Sequence, residues 1–241
     1  MFDFLNLPKQ SEIGDKIDKK MFYENSDLNA TERRWLKDNV EKIVWCNRIS
    51  YDTVNIRGYC DEKIDYTEIQ VINVQMRTDV HVRATADVLF SSFPYPLILI
   101  FTYRQDIMFF VASVRINQND KSRLTVEEVV QTKWFLVESD VLMSLDVTKI
   151  IASDLFQLYS GFTDSLLRLK VELEVGPGIE VDAVTSRSIL EQVKEIDDEI
   201  TSMKARLKAE DHFNRLVAIS DEIKKLEKQR QELLDSVKNS E

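Results

Sequence analysis

The sequence predicts an α+β body, with a mixed or antiparallel sheet and packed helices, followed by a long C-terminal helical coiled-coil segment. Three observations predict it. Helical and strand periodicities follow one another as helix, strand, strand, helix, strand, strand, strand, unlike the regular alternation of repeated βαβ units. Two β-rich runs, Leu97–Tyr103 and Ile107–Arg115, are joined only by Arg104, Gln105 and Asp106, a spacing that fits an antiparallel hairpin. From Ile189 to Val237 no Gly or Pro occurs, and apolar residues recur at helical spacing.

In chain order, the first helix is expected over 31–47. Thr31 supplies a hydroxyl cap, Glu32 sits in the first turn, and Trp35, Val40, Ile43 and Val44 form its apolar side. Thr53–Arg57 and Glu68–Met76 alternate like strands. Ile69, Val71 and Asn73 face one way and Gln70, Ile72 and Val74 the other, so apolar residues on both faces make the second run a central strand. Val80–Phe93 returns to helical spacing and ends at Pro94-Tyr95-Pro96, because proline cannot continue a helix. The Leu97–Arg115 hairpin forms the centre of the core. Val126–Val137 reads as a further strand, with Glu127 and Glu128 leaving a short helix as the competing reading.

Val147–Leu169 is the next expected helix. Ile150, Ile151, Leu155, Leu158, Phe162, Leu166 and Leu169 recur near 3.6, with Ser144 or Asp146 as its cap. The breaker Gly176-Pro177-Gly178 then separates a globular domain over 1–180 from a helical domain over 186–238. In the tail, Ile189, Val193, Ile196, Ile200, Met203 and Leu207 form one stripe. Leu216, Ile219, Ile223, Leu226, Leu233 and Val237 form a second, interrupted by Arg230. At about 100° per residue, the nine steps from Leu207 to Leu216 bring the second stripe out on the opposite side. Either one straight helix of roughly 73 Å meets several partners, or the chain turns near Ala209–Asn214 and the stripes face each other. The hairpin is favoured, although its turn lacks Gly and Pro.

Composition narrows the function. With 42 acidic and 32 basic residues the net charge is −10, of which −8 precedes Ser186, so the field of the whole molecule repels phosphate. Only Cys46 and Cys60 occur, without metal-ligand spacing, and they read as reduced thiols of a cytoplasmic protein. Two histidines, His81 and His212, far apart in sequence, remove most zinc and Ser-His-Asp schemes. The start Met-Phe-Asp-Phe-Leu does not read as an export signal, and no apolar run reaches bilayer length. With five glycines, no phosphate-binding loop, nucleophile elbow or dinucleotide fingerprint is present.

One constellation resembles catalysis. Asp61, Asp65, Glu68 and Gln70 match the Asp and Glu-x-Gln pattern of metal-dependent nucleases of the restriction-endonuclease class, where carboxylates hold Mg²⁺ and the third residue positions water. A solvated strand edge explains the same residues, so no cofactor is expected outside that alternative. Lys208–Arg215 clusters Glu210, Asp211, His212, Asn214 and Arg215 around Phe213, as a register break or a recognition surface. The sequence thus favours contact over chemistry. The partner-binding residues expected are Ile200, Met203 and Leu207, then Phe213, Asn214, Arg215 and Leu216, then Ile223 and Leu226.

Several stretches together carry a resemblance. Lys20–Asn25 (Lys-Met-Phe-Tyr-Glu-Asn), Glu41–Trp45 with Thr53–Ile56, Phe93–Leu99, and Phe213–Val217 followed by Ile223–Leu226 resemble an uncharacterised bacterial domain-of-unknown-function family. The resemblance implies a gene context as well, since genes of that family often lie beside helicases and DNA methyltransferases in restriction-like antiviral islands. The resemblance spans nearly the whole chain and implies an accessory subunit working with a helicase or other ATPase, or with a DNA methyltransferase. A second copy of the chain, joined through the coil, is a further expected partner. Contact with nucleic acid is expected to be indirect, and a sensor of phage nucleic acid or protein is the other alternative. The sequence departs from its relatives where Glu210 and Asp211 precede the Phe-Asn-Arg stretch, which argues against direct phosphate contact there.

Overall fold

The computed structural model describes residues 2–25, 28–121, 123–179 and 181–238. In chain order the elements are β1 (Glu12–Ile17), α1 (Lys19–Asn25), α2 (Ala30–Asn39), β2 (Val40–Ser50), α3 (Tyr51–Val54), β3 (Tyr59–Cys60), β4 (Asp65–Tyr66) and β5 (Glu68–Met76). There follow α4 (Val82–Ser92), β6 (Leu97–Tyr103), β7 (Asp106–Ile116), β8 (Leu124–Gln131), β9 (Phe135–Leu136), α5 (Leu155–Val175), α6 (Ala183–Ala209) and α7 (Phe213–Lys238). The chain divides into two compact units, 1–166 and 167–241.

The first unit is built on a mixed sheet in the order β1-β2-β5-β6-β7-β8, with β9 also pairing β7, while β3 and β4 form a separate small ribbon. All neighbours are antiparallel except β5 and β6. That parallel pair needs a crossover, which α4 supplies. β5 is central as expected, with Ile69, Val71, Ile72 and Val74 nearly inaccessible on its two faces. Asn73 is tolerated there because its amide donates to the Ile100 carbonyl at 2.9 Å and to the Thr102 hydroxyl at 3.2 Å.

Helices and loops cover both faces. On one, α4 residues line a hollow with Met108 and Phe110, and Phe22 of α1 meets Phe93 after α4, ring centroids 5.8 Å apart. On the other, Phe109 lies between Phe4 and Phe135. The Tyr159 hydroxyl accepts from the Ala112 amide at 2.9 Å and reaches the carbonyls of Leu97 and Ala112. Burial pushes its pKa up.

Several sequence expectations need correction. The helix expected over 31–47 is two elements: α2 stops at Asn39 and Val40 begins β2. The Asn39 side chain turns back to the Trp35 carbonyl at 3.2 Å and accepts from Thr78 at 2.8 Å, which fixes the junction. The cap is Asn29, not Thr31: its side chain accepts from the Thr31 and Glu32 amides, and Glu32 returns the bond to the Asn29 amide. Thr53–Arg57 is no strand, because Ser50 and Thr53 cap the short α3 and Asn55 closes it at φ 56°. The helix expected from Val147 starts only at Leu155. Asp146 caps a 3-10 turn at Val147–Lys149, and Ile151 is fully exposed instead of inward. The run near Val126 is strand β8, not a helix.

The second unit contains the end of α5 with α6 and α7. Gly176, at φ 117°, ends α5 where the breaker was expected, yet the units divide earlier, because Val171 and Val175 pack with Ile189 and Val193 of α6 and Leu234 and Val237 of α7. Farther along, Ile200 closes on Ile219 and Ile223, flanked by Ile196, Met203, Leu207 and Leu226. The start of α6 thus meets the end of α7, so the two form an antiparallel hairpin turning at residues 210–212. No continuous coil runs from Ile189 to Val237. Among the described residues no helix is long and apolar enough to cross a membrane.

Candidate functional site

The residues singled out by sequence fall in three places: one face of the sheet at β2 and β5, the β3–β4 ribbon, and the helical hairpin.

Glu68 opens β5, and Gln70 follows on the same face at the two-residue strand period. Antiparallel register sets Ser50 opposite Glu68 and Arg48 opposite Gln70, with Trp45 opposite Ile72 across a bulge. A polar row results. The Trp45 indole donates to Gln70 Oε1 at 2.9 Å, and Gln70 Nε2 donates to Glu68 Oε2 at 3.0 Å. Glu68 Oε1 lies 3.8 Å from Arg48 Nη1. Gln70 is 1% exposed, so these bonds satisfy a buried amide. Beside the row lies a pocket of about 570 Å³, lined by Ile17, Met21, Phe22, Phe93 and Tyr95, with Asp15, Lys16 and Asp18 among its polar residues. Pro94 follows Phe93, whose backbone is extended at φ −106° and ψ 137°.

The four residues of the nuclease pattern separate into two groups. Glu68 and Gln70 meet. The Asp61 carboxylate accepts from the Lys63 and Ile64 amides at 2.7 and 2.8 Å and from the Tyr59 hydroxyl, and the two amides hold it below the usual carboxylate range. Asp65 accepts from the Thr67 amide and hydroxyl at 3.0 and 2.8 Å. Both aspartates therefore shape the turns of the β3–β4 ribbon. Among the described residues no three His, Cys, Asp or Glu side chains gather to hold a metal ion. Among the described residues neither Cys46 nor Cys60 forms a disulfide, and burial raises the Cys46 thiol to about 11.

The hairpin residues also divide. Ile200 and Ile223 are buried, and Met203, Leu207 and Leu226 pack against them, so this part of the expected partner surface is occupied within the chain. Leu216 is half-buried. Phe213, by contrast, is 75% exposed at the first position of α7, with Asn214 and Arg215 exposed beside it and Val217 45% exposed one turn on. The turn needs no glycine because Glu210 accepts from the amides of Asp211 and His212 at 3.2 and 3.0 Å and lies 3.0 Å from His212 Nδ1. Its carboxyl is held low, first by the His212 amide. Arg230, which interrupts the second stripe, donates to Asp197 at 2.7 Å and to Glu174 at 2.8 Å, joining α7 to α6 and to the end of α5. The interruption is a three-helix clamp, and the two carboxylates raise the Arg230 pKa.

Trp45, Arg48 and the pocket around Phe22 and Phe93 escaped the sequence reading. The available signal was the β-branched run Val40, Ile43, Val44 and Ile49, which favours a strand and would have set Trp45 and Arg48 beside Glu68 and Gln70.

No curated protein and no solved structure matched the chain. The family model described as domain of unknown function, DUF4391, matches residues 5–229, taking in the sheet, the polar row and most of the helical hairpin, and the chain belongs to that family.

Proposed function

We propose that the protein is a non-catalytic interaction subunit of a bacterial anti-phage, restriction-like defence complex, docking on a helicase or DNA methyltransferase through its helical hairpin. The observation that carries this reading is the exposed Phe213 at the tip of a hairpin whose own stripes are already closed. A hairpin that satisfies its stripes internally leaves its turn as the part open to contact. An aromatic side chain held in water at its end resembles the anchors on which binding energy concentrates at interfaces. The resemblance to a family encoded beside helicases and methyltransferases supports the identity of the partner, and assembly through a second copy of the chain belongs to the same reading.

The experiment is copurification of the full-length chain with its genomic neighbours, followed by identification of the captured proteins. Phe213→Ser should lose the helicase or methyltransferase while far-UV circular dichroism stays unchanged. Ile223→Asp should lose it together with helical signal. Equal recovery of that partner by Phe213→Ser ends the proposal.

A second reading has one observation in its favour: Glu68 and Gln70 meet on one face of a central strand, as the Mg²⁺-dependent nuclease pattern requires. Incubation with duplex and single-stranded DNA in Mg²⁺ decides it. Cleavage abolished by Glu68→Ala supports the nuclease, and cleavage that persists clears these residues of the role.

A further inference from the structure

The pocket beside the polar row combines apolar walls with an acidic margin. Its volume of about 570 Å³ falls in the range of small-molecule pockets, and its walls come from separate elements: Ile17 of β1, Met21 and Phe22 of α1, Trp45 of β2, and Phe93 and Tyr95 after α4. The Phe22 and Phe93 rings are in contact, centroids 5.8 Å apart, with Phe22 buried, whereas Met21 and Tyr95 are 41% and 39% exposed at the rim. Aromatic walls favour a ligand that carries a flat ring.

The polar groups decide what else that ligand carries. Two of them are spent inside the fold: the Gln70 amide accepts from Trp45 and donates to Glu68, and the Ser92 hydroxyl donates to the Val88 carbonyl at 2.6 Å. Asp15 differs. It stands directly opposite Trp45 in the β1–β2 register, so the two side chains leave the same face of the sheet, the face on which Trp45 meets Gln70. Among the described residues Asp15 has no hydrogen-bond or ion-pair partner, and Asp18, just before α1, uses only Oδ1, which accepts from the Lys20 amide at 2.9 Å. Lys16 also borders the pocket, but it stands opposite Val44, one step along the strand, which sends its side chain from the other face by the two-residue period. An unpaired carboxylate beside aromatic rings suits an organic cation, drawn both by the opposite charge and by the ring quadrupole. The net charge of −10 acts in the same sense.

We infer that this pocket binds a small aromatic amine, with its ring among Phe22, Phe93 and Tyr95 and its ammonium group beside Asp15 and the Trp45 indole. The inference stands apart from the docking proposal, since every residue it uses lies in the sheet unit.

The test is calorimetric and ligand-observed NMR titration of the full-length protein, near neutral pH and at low salt, with tryptamine, indole and indole-3-propionate. The three share one ring and differ in charge. Tryptamine should bind with a Kd below about 1 mM and at least about tenfold more tightly than indole-3-propionate, with indole between them. Asp15→Asn, an exposed and nearly isosteric change, should lower tryptamine affinity severalfold and leave indole unchanged. Tyr95→Ala, at the rim, should weaken tryptamine and indole alike. Indole-3-propionate binding as tightly as tryptamine overturns the inference, as does the absence of tryptamine binding, or full tryptamine affinity in either Asp15→Asn or Tyr95→Ala.

Discussion

The sheet unit and the helical unit bury their apolar residues in different ways. In the sheet, residues of β5, β6 and β7 such as Val71, Ile100 and Phe110 reach 0% exposure, enclosed by neighbouring strands and by layers on both faces. In the helical unit, among the described apolar residues, only Leu169 and Val171 at the end of α5 reach that level, while Ile189, Ile200, Ile219, Ile223 and Val237 keep 6–9%, because two paired helices with a third at one end cannot surround a side chain. A thin core held by few contacts should yield first. The same thinness makes the hairpin depend on polar fastenings, Arg230 and the Glu210 turn, that the sheet does not need.

All three tryptophans and all seven tyrosines lie before residue 167. Tryptophan fluorescence thus reports the sheet unit alone, while circular dichroism at 222 nm reports both units, and the comparison is open to direct test. The largest effect is expected from Phe110→Ala, which should lower stability by about 3–5 kcal/mol in a fluorescence-monitored urea titration. Ile223→Ala should cost about 2–4 kcal/mol, seen in the dichroism and not in the fluorescence. If both substitutions shift one common transition, the two units fold together and the contrast is lost.

Arg230→Ala should cost about 1–3 kcal/mol in the same helical transition, since it leaves Glu174 and Asp197, partly shielded, facing each other without their cation. Asn29→Ala should cost about 1 kcal/mol by removing the α2 cap, and this time the fluorescence should follow, since α2 belongs to the sheet unit.

Acid provides the mildest probe. Asp182 caps α6 by accepting from the Thr185 amide at 2.8 Å, and its carboxyl, like that of Glu210, is held below its ordinary value. A depressed carboxyl contributes stability that is complete above its unfolded value, about 4, and is lost as the pH falls through the lower folded value. Helical signal should therefore decline below about pH 4, and Asp182→Asn should flatten that decline. An unchanged acid profile in Asp182→Asn would remove the cap from the account.

Much of the fold was legible. The α4 helix, the β6–β7 hairpin, the two-faced β5 and the turn of the tail each follow from local spacing and from the residues that interrupt it. The segment 40–47 was not legible, because Val40, Ile43 and Val44 suit a helix face and a half-buried strand equally over so short a window. Only pairing with β5 selects the strand. The mistake hid the site, since Trp45 and Arg48 join Glu68 and Gln70 only through that register. Among the hairpin residues, the stripes were readable but their occupant was not: Ile200 and Ile223 pack within the hairpin, while Phe213 is left in water.

By itself, the sequence determined β5, α4, the β6–β7 hairpin and the two helices of the tail, because periodicity and prolines act within a few residues. It also determined the acidic field and the two apolar stripes. The tertiary structure alone decided which polar groups meet, because sheet register and the α6–α7 turn bring together side chains some twenty to fifty-six positions apart, such as Trp45 with Gln70 and Arg230 with Glu174. No local rule reaches across that distance.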